Sequence, residues 1–204
     1  LAQQANAAVL GKFGETAVLA TVVMGKKDKD VDYFPLIVDY EEKFYAAGKI
    51  IGSRFIRREA RPSEEATLSA RMIDRCLRPL FDQRLRRDVQ VILTILSYDE
   101  ENDPDFVALI SASTALAISD IPWGGPIAGM RILSVPKKRE FHINPPNTLL
   151  RQTLDNEEGA FEAFLAGTNN RISMIELMGK EAKEEEVIKA FVTAQDEVKK
   201  LVVF

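Results

Sequence analysis

The sequence predicts a single α+β domain over residues 1–204, two-layer in architecture, with mixed β-sheet packed against helices. Three observations carry that reading. Short apolar and β-branched runs recur along the chain, and only a few stretches of helical periodicity interrupt them. A chain of 204 residues is also long enough for one sizeable core. Hydrophobic content of 46% and charged content of 28% are those of an ordinary globular protein.

The elements follow in order. Residues 1–10 form a small-residue, Gln/Asn-rich approach with no element assigned. Residues 16–24, with Val18, Leu19, Val22 and Val23, read as a buried strand. A charged turn at 26–30, read as a solvated hairpin, leads to a partner strand at 33–40, where Pro35 marks a break or an edge. Residues 89–97 (VQVILTILS) are the clearest strand. Hairpins are expected from 127–135 with 140–143, and from 161–166 with 172–177 across Gly167 to Asn170. A helix over 105–119, apolar on nearly all sides, is expected to be sandwiched between layers. The last helix, 181–201, turns Val187, Phe191, Ala194, Val198 and Leu201 inward.

Composition excludes some functions. One cysteine rules out an internal disulfide and fits a reducing, cytoplasmic setting. No run of 18 apolar residues and no basic-then-apolar leader is present, so neither a membrane partner nor a signal peptide is expected. The chain starts at Leu1 and stops at Phe204 within an apolar run, which reads as a piece of a longer protein. His142, the only histidine, has no evident catalytic partner and reads as a surface strand position. Residues 99–105 hold five carboxylates and Asn102. Such crowding can bind Mg²⁺, but the spacing fits no dedicated metal loop. Asp103, Pro104 and Asp105 read instead as the cap, N1 and charged first turn of the following helix.

The functional signal lies in residues 46–81. Ten of the 14 arginines fall between Arg54 and Arg87 against five acids, a net charge of +5, whereas the rest of the chain carries −9. An acidic protein with one dense Arg segment is building a local anion site. Gly48 and Gly52 frame a loop, and Ser63, Glu64 and Glu65 after Pro62 read as a helix start. Leu68, Met72, Ile73, Cys76, Leu77 and Leu80 form its buried stripe. Arg71, Arg75 and Arg78 share another face, and Pro79 is expected to push Arg78 out of the α region. Single-stranded nucleic acid is held by a ring or apolar platform for bases beside Arg groups for phosphates. Phe55 with Arg57 and Arg58 supplies both in four residues, and Ile56 and Arg61 are grouped with them as expected RNA contacts; the alternative is that the arginines are solvated or salt-bridged and Phe55 is a core anchor. Arg54, Arg71, Arg75 and Arg78 are secondary candidates, with Asp74 and Arg78 an i, i+4 pair of structural character.

The motifs Tyr45-Ala46-Ala47-Gly48-Lys49-Ile50, Gly52-Ser53-Arg54-Phe55-Ile56-Arg57-Arg58-Glu59-Ala60-Arg61-Pro62-Ser63-Glu64 and Ile73-Asp74-Arg75-Cys76-Leu77-Arg78-Pro79-Leu80-Phe81 carry a resemblance. They closely resemble the first of the two RNase PH-type core domains of the polynucleotide phosphorylase family. Asp32-Tyr33-Phe34-Pro35-Leu36, Ile121-Pro122, Gly125-Pro126-Ile127 and Ala166-Gly167-Thr168 extend the similarity over nearly the whole chain. Ala60 stands where the family usually has Gly, and Cys76 where it usually has Pro.

The resemblance implies an RNase PH-like fold and a role in mRNA degradation. The implied reaction is phosphorolysis of single-stranded RNA from its 3′ end, with inorganic phosphate consumed and nucleoside diphosphates released. It further implies a cytoplasmic homotrimer with Mg²⁺ held by the second core. In that core the chemistry rests on a Ser run before a helix and an Asp pair around a Gly-Asp-x-Asp-Phe segment. Here Ala160 and Leu154 stand at the Asp positions, and Asp103-Pro104-Asp105 replaces the Ser run. No catalytic or metal residue is therefore expected in this core, and residues 1–204 alone are expected to be inactive. The alternative is a standalone, non-catalytic RNA-binding ring subunit of an exosome-like assembly, and a longer reading frame with a second core would discriminate the two.

Overall fold

The computed structural model describes residues 1–50 and 61–204. Two four-stranded sheets alternate with helices. In the first, β1 (Ala7–Phe13), β2 (Thr16–Met24), β4 (Val89–Ser97) and β3 (Leu36–Glu41) lie in the order β1-β2-β4-β3. In the second, β6 (Glu140–Ile143), β5 (Ala128–Val135), β7 (Phe161–Gly167) and β8 (Ile172–Gly179) are all antiparallel. The helices are α1 (Glu64–Leu77), α2 (Pro104–Ile118), α3 (Asn147–Asn156) and α4 (Glu184–Val203). The expected mixture of sheet and helix thus occurs twice.

Side-chain alternation decides the layering. Val18, Ala20 and Val22 of β2 and Val89, Val91, Leu93 and Ile95 of β4 point one way and bury against α1 and α2. Phe164 and Ala166 of β7 join that core from the other side, so α2 is sandwiched between sheets as its all-round apolarity predicts. The opposite face of the second sheet, with Met130, Ile132, Phe161, Ala163 and Leu165, packs on Ala190, Ala194 and Val198 of α4. Small residues let α2 approach both sheets. A Cβ at Gly11 would overlap Ser111 Oγ, and one at Gly129 would lie 2.7 Å from Leu109 Cδ2.

Several expectations are corrected. Residues 7–13 are a strand rather than an approach, registered from Ala7 against Val22 to Phe13 against Thr16. That strand is defined by its partner more than by its own weak pattern. β3 does not pair with β2 in a hairpin. It runs parallel to β4, which lies between them, because α1 forms the long β3–α1–β4 crossover that a parallel pair requires. The charged 26–30 stretch is tied to the start of β4 instead, by Gly25 N–H to the Asp88 carbonyl and Lys29 N–H to the Arg86 carbonyl. Leu68 is 63% exposed and leaves the buried stripe of α1. α3 carries no start signal: Pro146 precedes it without a side-chain cap, and only Leu150 and Thr153 are buried.

Arg78 also departs from expectation. It keeps φ −54° and ψ −42° directly before Pro79 and opens a 3₁₀ turn, Arg78–Leu80. Its guanidinium explains this. Nη2 and Nε reach the Asp74 carboxylate at 2.6 and 2.9 Å, while Nη1 and Nη2 donate to the Phe34 and Leu36 carbonyls at 3.2 and 3.1 Å. Charge-assisted bonds on both sides outweigh the crowding from the proline ring.

Candidate functional site

α1 begins as the sequence requires. Ser63 Oγ accepts the Ala66 N–H at 2.9 Å, Glu64 and Glu65 occupy the positive first turn, and the Ser63 hydroxyl donates to Glu42 at 2.7 Å. Beside that start a cleft of about 1220 Å³ opens between β3, α1, the start of α2 and β5. Arg61 and Arg71 line it, both exposed, and among the described residues neither makes an ion pair.

The remaining arginines of the segment separate from these two. Arg78 fastens α1 to the entry of β3 and lies 5.9 Å over the Phe34 ring, so its role is structural. Arg84 pairs with Asp82 at 2.8 Å, Arg87 with Asp28 at 3.3 Å, and Arg86 donates to backbone carbonyls. Arg75 is exposed but does not line the cleft. Arg54, Phe55, Ile56, Arg57 and Arg58 lie outside the described residues.

The cleft wall at the start of α2 is an ionic cluster. Asp103 caps the helix by accepting the Asp105 N–H at 2.9 Å, with Pro104 in the first turn. Arg131, from the inner strand β5, reaches Asp103 Oδ2 through Nη2 at 2.7 Å and Nε at 2.8 Å, and Glu162 Oε2 through Nη1 at 2.8 Å. Burial works against the Arg131 charge, but Asp103 and Glu162 outweigh it and raise its pKa. Asp105 has no such direct partner among the described residues. Its carboxyl accepts from Ser69 Oγ at 2.9 Å and from the Tyr40 hydroxyl. Burial and then Asp103 push it up to about 6, against the pull of Tyr40, Ser69 and Arg131.

That shift has a measurable consequence. An Asp whose folded pKa exceeds its unfolded value, near 3.8, contributes stability that is present below about pH 4 and lost as pH rises through about 6. Asp105→Asn keeps an acceptor for Ser69 and Tyr40 and carries no charge to bury. Urea titrations are expected to show the variant gaining on the wild type by on the order of 1–2 kcal/mol between pH 4 and pH 8. A constant difference across that range would show that Asp105 does not titrate there.

Elsewhere the acidic loop has a structural use. Desolvation raises the Asp99 pKa, but bonds from the Asn102 backbone and side chain and from the Glu15 and Glu101 N–H groups hold it well below the usual carboxylate range. Among the described residues no group of three or more His, Cys, Asp or Glu side chains is arranged to hold a metal ion. His142 is part-exposed on β6, 3.6 Å from Glu140 and away from the cleft. Burial, with Glu176 and Asp74, pushes the Cys76 thiol up to about 12, so it has no nucleophilic character. At the positions matched to the catalytic pair, Ala160 is fully buried and Leu154 lies on α3. Arg131 and Tyr40 do not stand out in the sequence. A lone Arg in the otherwise apolar AGMRILSV strand is the one signal for the first of them.

Comparison with known proteins adds three findings. The chain matches the RNase PH family, described as 3′ exoribonuclease family, domain 1, over residues 1–122. It is 49% identical over 204 residues to a polyribonucleotide nucleotidyltransferase of Exiguobacterium sibiricum, covering 100% of this chain and 26% of the relative. Proteins of the same name from Thermomicrobium roseum and Macrococcus caseolyticus are 47% and 46% identical, over 99% and 100% of this chain and 25% and 28% of the relatives. The chain therefore spans about a quarter of the length of the curated relatives it matches. Its backbone also resembles the crystal structure of rice (Oryza sativa) Rrp46, with a TM-score of 0.72 at 14% identity, covering 98% of this chain and 88% of that one, which speaks to fold alone.

Proposed function

Because the chain belongs to the 3′ exoribonuclease family, whose domain 1 it matches over residues 1–122, we propose that it is the first RNase PH-type core of a polyribonucleotide nucleotidyltransferase. The full-length protein degrades single-stranded RNA from the 3′ end in the cytoplasm as part of mRNA turnover. It consumes inorganic phosphate and releases nucleoside diphosphates. This core holds the RNA and helps build a trimeric ring; a second core carries the chemistry. The observation that supports this division best is a pair of guanidiniums, Arg61 and Arg71, without ion pairs among the described residues. They line a cleft in which Asp103 is committed to Arg131 and to the α2 cap.

The phosphoryl transfer calls for Mg²⁺ and for donors to the attacking phosphate. The residues present do not fit that metal. Ala160 and Leu154 offer no oxygen, and Glu162 is taken by Arg131 at 2.8 Å. Mg²⁺ wants near-octahedral oxygen geometry, which these positions do not supply. The metal belongs to the second core, and this chain contributes binding and orientation.

Arg61→Ala with Arg71→Ala is expected to weaken binding of single-stranded RNA of any sequence. The log–log salt slope should shrink by about 0.7 for each phosphate that no longer meets an arginine. Arg57→Ala with Arg58→Ala is expected to behave likewise, and Phe55→Ala to cost roughly 1–3 kcal/mol with little change in slope, as for a ring stacked on a base. Unchanged affinity and slope in all three variants would remove RNA from the reading. Sedimentation of the full-length protein at micromolar concentration is expected to give a trimer, and a clean monomer would contradict the ring.

A further inference from the structure

At the start of α2 the carboxylates outnumber the cation that pairs with them directly, while Lys43, paired with Glu41 at 3.2 Å, and Lys49 also line the cleft. Three acids meet at the start of α2: Asp103 and Asp105 from the helix and Glu162 from β7. One guanidinium, Arg131 of β5, makes direct ion pairs with Asp103 and Glu162. Asp105 is left with neutral donors, Ser69 from α1 and Tyr40 from β3. Glu42, just beyond β3, adds a further negative charge that Tyr40 feels. Neutral donors satisfy lone pairs without cancelling charge, so an ionised Asp105 stays a net negative charge on a cleft wall poorly exposed to water.

We propose that binding of a phosphate-bearing strand in this cleft is linked to proton uptake at Asp105, so that the strand is held more tightly once that carboxyl is neutral. The inference rests on the RNA reading under Proposed function and supplies its regulation. Asp105, Ser69, Tyr40, Arg61 and Arg71 all line the same cleft, so a phosphate drawn in by the two arginines adds negative charge to the cleft that Asp105 faces. A second negative charge there favours the protonated form. By reciprocity, protonation favours the phosphate by the same factor. Burial and Asp103 already bring the carboxyl to about 6, so the exchange falls within an accessible pH window.

The test is the affinity of this chain for oligouridylate between pH 5.5 and 7.5 at fixed ionic strength. Uracil and the phosphodiester do not titrate in that range. The wild type is expected to bind roughly fivefold or more tightly at pH 5.5 than at pH 7.5, within the usual range of coupling between sites. Asp105→Asn is expected to bind at pH 7.5 as tightly as the wild type does at pH 5.5, with a nearly flat profile. His142 is present in both proteins, so the difference between the two profiles isolates Asp105. A flat wild-type profile, or equal slopes in both proteins, would overturn the linkage while leaving RNA binding intact. Absence of binding at every pH would overturn the RNA reading and this inference with it.

Discussion

Arg131→Met is expected to be the most destabilising single substitution in the cleft, at about 3–5 kcal/mol near neutral pH. Arg131 is 24% exposed in its side chain, and its partners Asp103 and Glu162 only 14% and 12%. A pair so shielded is costly to break from one side, because the remaining charges have neither water nor a counter-ion. Methionine fills the stem volume but leaves Asp103, Asp105 and Glu162 facing one another. The damage reaches both layers at once, since Arg131 fastens β5 and β7 of the second sheet to the N-terminus of α2.

The pH dependence has a definite sign. Arg131 pulls the raised Asp105 pKa down, so without the guanidinium it rises further, and the variant regains stability as pH falls and Asp105 becomes protonated. The deficit in urea titrations should therefore be largest at pH 7–8 and shrink towards pH 4. Arg131→Lys should recover only part of the stability, because a single ammonium cannot reproduce the forked bonds at 2.7 and 2.8 Å. A deficit of less than about 0.5 kcal/mol for Arg131→Met, the level of an ordinary surface change, would contradict the role given to this cluster.

Much of the fold is legible in the sequence, and the reasons are local. Thr16–Met24 and Val89–Ser97 occur with the bounds read from their β-branched runs, since alternation on a one-sided sheet is written into the residues themselves. Ser63, Glu64 and Glu65 announce α1, and Asp103-Pro104-Asp105 announces α2, through caps that act within one turn. What is not legible depends on distant partners. β1 is a strand because β2 lies beside it, and β3 pairs with β4 because α1 carries the chain across. Arg78 stays helical before Pro79 because the Phe34 and Leu36 carbonyls, over forty residues away, receive it.

The site follows the same division. Arg71 stands among ten similar arginines, and among the described residues the cleft it shares with Arg61, together with the pairing of Arg78, Arg84 and Arg87 elsewhere, sets it apart. The Arg131 cluster joins positions 103, 131 and 162, which no spacing rule connects. Asp105 charges a helix start as its sequence context suggests, but its neutral partners Ser69 and Tyr40 come from two other elements.

The most direct test asks whether this core binds without reacting. Catalysis would need a cation held by carboxylates beside the scissile phosphate and donors for the attacking phosphate. Ala160 is fully buried and offers no ligand, Leu154 offers none, Pro104 lacks both a hydroxyl and an N–H, and Glu162 is bonded to Arg131 at 2.8 Å. Ala160→Asp alone should not restore activity, because the phosphate site is still lacking and Glu162 stays paired. Purified residues 1–204, given single-stranded RNA, inorganic phosphate and Mg²⁺, are expected to retain the RNA weakly and to release no nucleoside diphosphate. Diphosphate release by this chain, abolished by Glu162→Gln, would contradict the division of labour and make this core the working one.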